Sequence, residues 1–178
     1  MKVVFVSDIH GMGNYAEKIK DIYVKEKFDL LIVLGDLFYC SSSYSSLDDY
    51  DPDKVLDILN SFKNNMYIIK GNCDSEIDIL SSPFSFLNYL TLNINGKKFF
   101  CTHGHLYNLD KLPSEDFDIM VYGHLHVGFI KEINNKLFVN TGSLSFPRGG
   151  SVNSYILVDD NAIYLKDLEF NILDKYSL

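Results

Sequence analysis

Three short apolar runs, separated by segments long enough to form helices, dominate the first part of the chain. The runs cover residues 2–7, 29–34 and 66–69 and are rich in Val, Ile and Leu. Parallel strands cannot be joined by tight turns and need crossover connections, usually helical. The alternation therefore predicts a β-α-β-α-β unit with a parallel sheet.

Both connecting segments carry helix signals. Apolar residues recur at helical spacing near 15–27, and Asn14 is the predicted N-cap. Asp51-Pro52 supplies an N-cap followed by proline at the first helical position, which predicts a second helix near 52–63.

The second half of the chain favours antiparallel pairing. Asn95-Gly96 separates apolar runs at 89–94 and 97–102, which is a strong hairpin signal. A further buried strand is predicted at 118–122, and polar turn residues near 134–135 and 159–161 separate later strand-like runs. We expect an α/β fold in one domain, residues 1–178, with two packed mixed β-sheets flanked by helices.

Composition argues against some classes of binding partner and some locations. The net charge is −8, from 24 acidic and 16 basic residues, which argues against a nucleic-acid or anionic-membrane surface. No apolar run is long enough to span a membrane. Cys40, Cys73 and Cys101 are odd in number and form no Cys-x-x-Cys pair, which favours a reducing, cytoplasmic location.

Five strand-like runs each end in a polar cluster. The clusters contain Asp8-Ile9-His10, Gly35-Asp36, Gly71-Asn72-Cys73-Asp74, His103-Gly104-His105 and Gly123-His124-Leu125-His126. All five histidines of the chain lie in these clusters. Because ligands bind at the carboxyl ends of strands in open α/β sheets, the clusters are expected to meet at one edge.

The residue types in these clusters indicate a metal centre. Imidazole, carboxylate and amide oxygen together suit a borderline divalent ion such as Mn, Fe, Zn, Ni or Co. The five histidines together with Asp8, Asp36 and Asn72 offer too many ligands for one ion with an open position, and they suit two ions that share a bridging carboxylate. The glycines that precede several ligands favour sharp turns and close backbone approach.

Taken together, the five motifs resemble those of the calcineurin-like metallophosphoesterases, and the short chain and the string at 71–76 resemble the small YfcE-type phosphodiesterase branch. The resemblance implies a four-layer αββα sandwich. It implies a first ion held by Asp8, His10, Asp36 and His126 and a second held by Asp36, Asn72, His103 and His124. A hydroxide bridging the two ions, most simply Mn, would attack a small-molecule phosphate diester.

The same resemblance makes Asp36, Asn72, Cys73 and His103 the candidates for catalytic roles. Cys73 stands where many relatives in the wider superfamily carry a histidine that is thought to protonate the leaving group or stabilise the transition state. A thiol next to cations would be a poorer substitute, because it tends to ionise. Asp74 and His105 are expected to orient the ligands rather than bind metal. Arg148 is either a substrate contact or an ordinary surface residue.

Several alternatives remain open from the sequence. The centre would also serve a phosphomonoesterase, and the same fold could act as a Vps29-like interaction scaffold without catalysis. A homo-oligomer is an open alternative as well. The serine-rich segment 40–46 is either a surface loop or a lid beside Asp36.

Overall fold

Two β-sheets packed face to face form the centre of the protein in the computed structural model, which describes residues 1–38 and 47–178. The lid hypothesis for segment 40–46, and Cys40 with it, falls outside the described residues. The two packed mixed sheets confirm the predicted fold class.

The first sheet contains the predicted parallel unit. Its seven strands lie in the order β12-β11-β10-β1-β2-β3-β4, with β1 to β4 parallel and the remaining neighbours antiparallel. These strands are β1 (Val3–Val6), β2 (Leu30–Val33), β3 (Met66–Ile69), β4 (Phe86–Leu87), β10 (Ser154–Val158), β11 (Ala162–Asp167) and β12 (Ile172–Ser177).

The second sheet has five strands in the order β5-β6-β7-β9-β8. They are β5 (Tyr89–Ile94), β6 (Lys97–Thr102), β7 (Ile119–Tyr122), β8 (Gly128–Ile133) and β9 (Lys136–Thr141). The hairpin between β5 and β6 is confirmed: Asn95 and Gly96 have φ of 52° and 81°, as a type I′ turn requires. Strands β6, β7 and β9 are parallel to one another.

Helices lie on the outer face of the first sheet. They are α1 (Gly13–Glu26), α2 (Pro52–Asn60), α3 (Glu76–Ser81) and a short 3₁₀ turn (Lys63–Asn65). Buried side chains of α1 and α2, such as Ile19 and Val55, pack with Val4, Val6 and Val33 of the sheet. No helix among the described residues is long and apolar enough to cross a membrane.

The predicted N-cap at Asn14 is wrong, because α1 begins at Gly13 and Met12, two residues before Asn14, occupies the N-cap position without a side-chain hydrogen bond. The carboxylate of Asp49 instead accepts the N–H of Asn14 at 3.0 Å, so a distant acceptor satisfies the exposed donor. The cap at Asp51 is confirmed, since its side chain accepts the N–H of Lys54 at 2.9 Å.

One apolar core lies between the helices and the first sheet, and a second fills the space between the two sheets. In the second core Phe5 stacks on Phe99, with ring centroids 6.2 Å apart. A third cluster, around Phe100, Met120 and Phe138, lies on the outer face of the second sheet. Segment 103–118, which contains no helix, follows β6 and contributes Phe117 to this cluster. The layer outside the second sheet is therefore formed by a loop rather than by a helix.

Candidate metal centre

The carboxyl ends of five parallel strands, three from one sheet and two from the other, meet at one edge of the sandwich. Asp8 and His10 follow β1, Asp36 follows β2, and Asn72 and Cys73 follow β3. His103 follows β6, and His124 and His126 follow β7. The structure brings all these predicted site residues together, and donor atoms within each of three overlapping groups lie within 4.8 Å of one another.

The first group is Asp8, His10 and His126, all buried. Asp8 Oδ1 lies 3.2 Å from His126 Nε2 and 3.8 Å from His10 Nε2. The two imidazole Nε2 atoms are 3.3 Å apart. Three donors thus converge on a space the size of a single ion.

The second group is Asp36, His103 and His124. His103 Nε2 lies 3.4 Å from Asp36 Oδ2 and 3.0 Å from the amide oxygen of Asn72. The same Asp36 Oδ2 is 3.9 Å from His10 Nε2 in the first group. One oxygen of Asp36 therefore faces both groups.

Cys73 belongs to a third, overlapping group with His10 and Asp36. Its backbone N–H donates to Asp36 Oδ1 at 2.8 Å, and the side chain of Asn72 donates to its Sγ at 3.2 Å. The thiol consequently lies between the two halves of the centre.

The tautomers of two histidines favour a cation at each half. His126 Nδ1 donates to the carbonyl of Phe146 at 2.6 Å, and His103 Nδ1 donates to the carbonyl of Leu34 at 2.6 Å. A carbonyl can only accept, so each Nδ1 carries a hydrogen, and each Nε2, which faces a carboxylate oxygen, must carry a proton or bind a cation. Lone pairs this close repel unless a proton or a metal ion lies between them. This arrangement is the one found around metal-bound histidines.

Asp8 gives a second sign that the site fits a metal ion. Its Oδ1 is inaccessible to water and accepts no hydrogen bond from the described residues, while Oδ2 accepts the N–H of His124 at 2.9 Å. An ionised oxygen buried in this way is costly without a compensating cation. The donor set of carboxylate, imidazole and amide therefore fits divalent metal.

The pKa values reflect the same crowding. Burial opposes ionisation of Asp36, but the hydrogen bond and charge of His103 outweigh it and hold the pKa of Asp36 well below its usual range. Burial likewise opposes the imidazolium of His103, yet the hydrogen bond with Asp36 and the nearby carboxylates raise its pKa to about 9. Burial lowers the pKa of His10 and of His124.

Asp74 supports the loop that carries Asp36. Its buried carboxylate accepts the backbone N–H groups of Asp36 at 2.9 Å, Leu37 at 2.8 Å and Gly71 at 2.8 Å. Burial raises the pKa of Asp74. The predicted orienting role of this residue agrees with its contacts, since it ties the loops after β2 and β3 together.

Two serines that sequence reasoning missed hold the loop after β1. Ser143 Oγ donates to the carbonyl of Asp8 at 2.8 Å, and Ser145 Oγ donates to the carbonyls of Asp8 and Ile9 at 2.9 Å. The string Gly142-Ser143-Leu144-Ser145 is visible in the sequence, but nothing local shows that its hydroxyls reach a carbonyl 135 residues away.

The backbone around the centre is strained and tightly packed. Five of the candidate ligands have left-handed φ between 51° and 66°, a region that costs free energy for residues other than glycine. They are Asp8, His10, Asp36, His124 and His126. A Cβ on Gly71 would collide with the backbone N and the carboxylate of Asp36, and a Cβ on Gly123 would collide with Ser7. The predicted close approach at these glycines is confirmed.

His105 and Arg148 lie beside the centre. The His105 ring centroid is 5.4 Å from that of His103, and its buried Nδ1 has no hydrogen-bond partner among the described residues. Arg148 is exposed, and its backbone N–H donates to the carbonyl of His126 at 2.9 Å.

Paired donor groups at the strand ends of a two-sheet sandwich define a metallophosphoesterase-type centre, and comparison with known proteins places the chain in a family. The model of the calcineurin-like phosphoesterase superfamily domain matches residues 1–162. The chain belongs to this superfamily and is a metal-dependent phosphoesterase, which confirms the family resemblance seen in the motifs.

Individual relatives agree with this assignment. Phosphodiesterase YfcE of Escherichia coli K12 is 31% identical over 165 residues, which cover 92% of this chain and 90% of the relative. The probable metallophosphoesterase YsnB of Bacillus subtilis is 26% identical over 166 residues, covering 89% of this chain and 83% of the relative.

Solved structures show the same similarity. The phosphoesterase YfcE from E. coli superposes with a TM-score of 0.92 at 29% identity, over 99% of each chain. Vps29 from Cryptosporidium parvum superposes with a TM-score of 0.67 at 22% identity, over 99% of this chain and 98% of its own. The similarity to Vps29 shows a shared fold and nothing more.

Proposed function

We propose that this protein is a phosphodiesterase that hydrolyses small-molecule phosphate diesters at a centre of two divalent metal ions. The observation that carries the proposal is the position of Asp36, whose Oδ2 lies 3.4 Å from His103 Nε2 in one donor group and 3.9 Å from His10 Nε2 in the other. A carboxylate that faces two donor groups is suited to bridge two ions.

The geometry supports the following division of ligands. Asp8, His10, Asp36 and His126 hold one ion, and Asp36, Asn72, His103 and His124 hold the other. Nitrogen and oxygen donors in this mixture suit Mn, Ni, Fe, Co or Zn, and we favour Mn. When bound, two ions of this kind hold phosphoryl oxygens and lower the pKa of water so that hydroxide is available near neutral pH.

The chain's own residues prepare the site for the reaction. The carbonyls of Leu34 and Phe146 fix His103 and His126 in the tautomer that leaves Nε2 free to bind metal. Asp74 and the two serines hold the loops of Asp36 and Asp8 in their strained conformations. Asn72 and Cys73 lie against each other at 3.2 Å beside the reacting position. Cys73 occupies the place of a proton donor, and a thiol beside cations is a poor one because it tends to ionise.

The proposal extends to the whole chain. Residues 1–178 are taken as one domain, because β12 (Ile172–Ser177) completes the first sheet. The expected cytoplasmic location and the open alternative of a homo-oligomer stay predictions.

Activity and metal binding test the proposal separately. Metal-stripped protein would be titrated calorimetrically with Mn²⁺, and hydrolysis of bis(p-nitrophenyl) phosphate and p-nitrophenyl phosphate would be followed after adding Mn, Ni, Co, Zn or Mg singly. Two ions are expected per chain, with binding lost at both sites in Asp36→Asn and at one site in Asn72→Ala. The matched controls are Asp57→Asn and Asn64→Ala, which change exposed residues.

Each outcome has a distinct meaning. Metal-dependent cleavage of the diester, lost in both site variants and kept in both controls, supports the proposal. Cleavage of the monoester alone would make the protein a phosphomonoesterase. Folded protein that cleaves neither ester with any metal would favour the interaction scaffold.

A further inference from the structure

The loop that carries Arg148 is attached to a candidate metal ligand at two points. The carbonyl of Phe146 accepts from His126 Nδ1 at 2.6 Å, and the N–H of Arg148 donates to the carbonyl of His126 at 2.9 Å. The backbone on both sides of Pro147 is therefore held against His126, and the side chain of Arg148 starts from this attachment point.

Phe146 shows how close this loop lies to the metal centre. Its ring centroid is 5.9 Å from the ring of His10, a ligand in the first donor group. The loop that contains Phe146 and Arg148 thus borders the metal centre, and the arginine side chain starts from this loop.

A tight turn holds Arg148 in this position. Gly149 and Gly150 have φ of 59° and 78°, and the N–H of Ser151 donates to the carbonyl of Arg148 at 2.9 Å. Positive φ at both central residues is the type I′ pattern, which glycine adopts without strain. The two glycines and the bonds to His126 together fix the backbone of this arginine.

The guanidinium itself is available for a ligand. Arg148 is exposed, and no carboxylate in residues 1–38 or 47–178 forms an ion pair with it. It is also the sole arginine of a chain with a net charge of −8, so an anionic ligand meets a repulsive field away from local cations. Arginine binds phosphate and carboxylate through two parallel hydrogen bonds, which a lysine cannot match.

The position of His126 indicates which anion Arg148 would bind. The Nε2 edge of the ring faces Asp8, and the Nδ1 edge faces the loop. The ring of His126 thus separates the loop from Asp8. An anion-binding side chain on this loop would contact a part of the substrate beyond the phosphoryl oxygens that the metal ions hold.

We propose that Arg148 binds an anionic group, a phosphate or a carboxylate, on the non-reacting arm of the diester and so selects substrates with a second negative charge. This inference rests on the proposed phosphodiesterase function. It names a specificity-determining residue and the class of diester that the site prefers.

A matched pair of substrates tests the proposal. These are the 5′-p-nitrophenyl phosphodiester of thymidine and the same compound with a 3′-phosphate, which differ only in the extra anionic group. The wild-type KM is expected to be lower for the phosphorylated compound. In Arg148→Gln its KM should rise about tenfold, a loss of about 1.4 kcal/mol, while kcat and the KM of the other compound stay within twofold. Arg148→Lys should fall between the two.

The control is Lys97→Gln, which removes one positive charge from an exposed residue at the opposite end of β6. It is expected to leave both KM values unchanged. Equal KM changes for both compounds in Arg148→Gln would mean that the residue contacts the reacting phosphate, and unchanged values would show that it is a surface residue; either result overturns the inference. Wild-type protein that hydrolyses neither compound would instead refute the phosphodiesterase function itself.

Discussion

The carboxylate of Asp74 accepts the backbone N–H of Asp36 at 2.9 Å, so a buried acid that is not itself in any of the donor groups holds the residue shared by two of them. The same oxygen accepts from Gly71, and the other accepts from Leu37 at 2.8 Å. The position of Asp36 between the donor groups therefore depends on a carboxylate that lies outside those groups.

Asp74→Asn tests that dependence. The amide of asparagine has one oxygen, so it can accept only the hydrogen bonds that reach one of the two carboxylate oxygens of Asp74. Its NH₂ group takes the place of the other oxygen and faces a backbone N–H. We expect a loss of about 1–3 kcal/mol in the free energy of unfolding of the metal-free protein. Metal affinity should fall about 10- to 100-fold, as for other residues that support ligands. Urea unfolding and calorimetric titration measure the two effects. Unchanged metal affinity would contradict the supporting role.

Gly71→Ala tests the close approach between the loops after β2 and β3. The new Cβ would overlap the backbone N and the carboxylate of Asp36, and backbone atoms cannot move aside cheaply. We expect loss of Mn²⁺ binding together with marked destabilisation. The control is Gly96→Ala in the β5–β6 hairpin, where no atom lies within 4 Å but φ is +81°. That variant should lose about 1 kcal/mol and keep its metal affinity. Equal metal binding in the two variants would refute the argument.

The convergence of the candidate metal ligands could be predicted from sequence because each one lies just after a strand. An apolar run ending in Asp8, Asp36 or His103 shows both the strand and the polar group at its carboxyl end. The parallel topology then brings these ends to one edge, so convergence requires no knowledge of loop structure. The presence of all five histidines in these strand-end clusters then indicated metal binding.

What could not be predicted depends on contacts between residues far apart in the chain. Ser143 reaches the carbonyl of Asp8, and Asp49 takes the capping role expected of Asn14. A hydroxyl or carboxylate in a loop has no periodicity that identifies its partner. The loop 103–118 that follows β6 was unpredictable for a related reason, because only the packed apolar cluster around Phe100 gives it a defined place.

Cys73→His tests whether a side chain at this position can protonate the leaving group. The Cys73 sulfur, a His10 nitrogen and an Asp36 oxygen lie within 4.8 Å of one another, so Cys73 is next to the proposed cations. A thiol in such surroundings tends to ionise and then has no proton to give. A histidine there should raise kcat about 10- to 100-fold for diesters with poor leaving groups, such as phenyl esters. The gain should be smaller for p-nitrophenyl esters, which need no protonation.

The comparison variant for this experiment is Cys73→Ala, which has no proton to donate and should remain as slow as the natural protein on phenyl esters. The measurement is the kcat of both variants and of the natural protein on phenyl and p-nitrophenyl diesters, at equal metal occupancy. If the histidine and alanine variants had the same rates on phenyl esters, a role for this position in leaving-group protonation would be excluded.

Cys101 leads to a prediction about alkaline stability. Its thiol is fully buried on β6 between the two sheets, and burial raises its pKa far above the ordinary value of 9.0. Below that ordinary value the thiol is protonated in both states and its burial contributes fully to stability. Above it the unfolded chain loses the proton while the folded chain keeps it, so stability falls as pH rises. The slope contributed by one group approaches about 1.4 kcal/mol per pH unit.

Cys101→Ala should have a lower free energy of unfolding than the natural protein at neutral pH, and its free energy of unfolding should decline less steeply between about pH 9 and 11. Urea unfolding of both proteins across this range measures the difference, and parallel curves would show that the buried thiol does not control the alkaline limit.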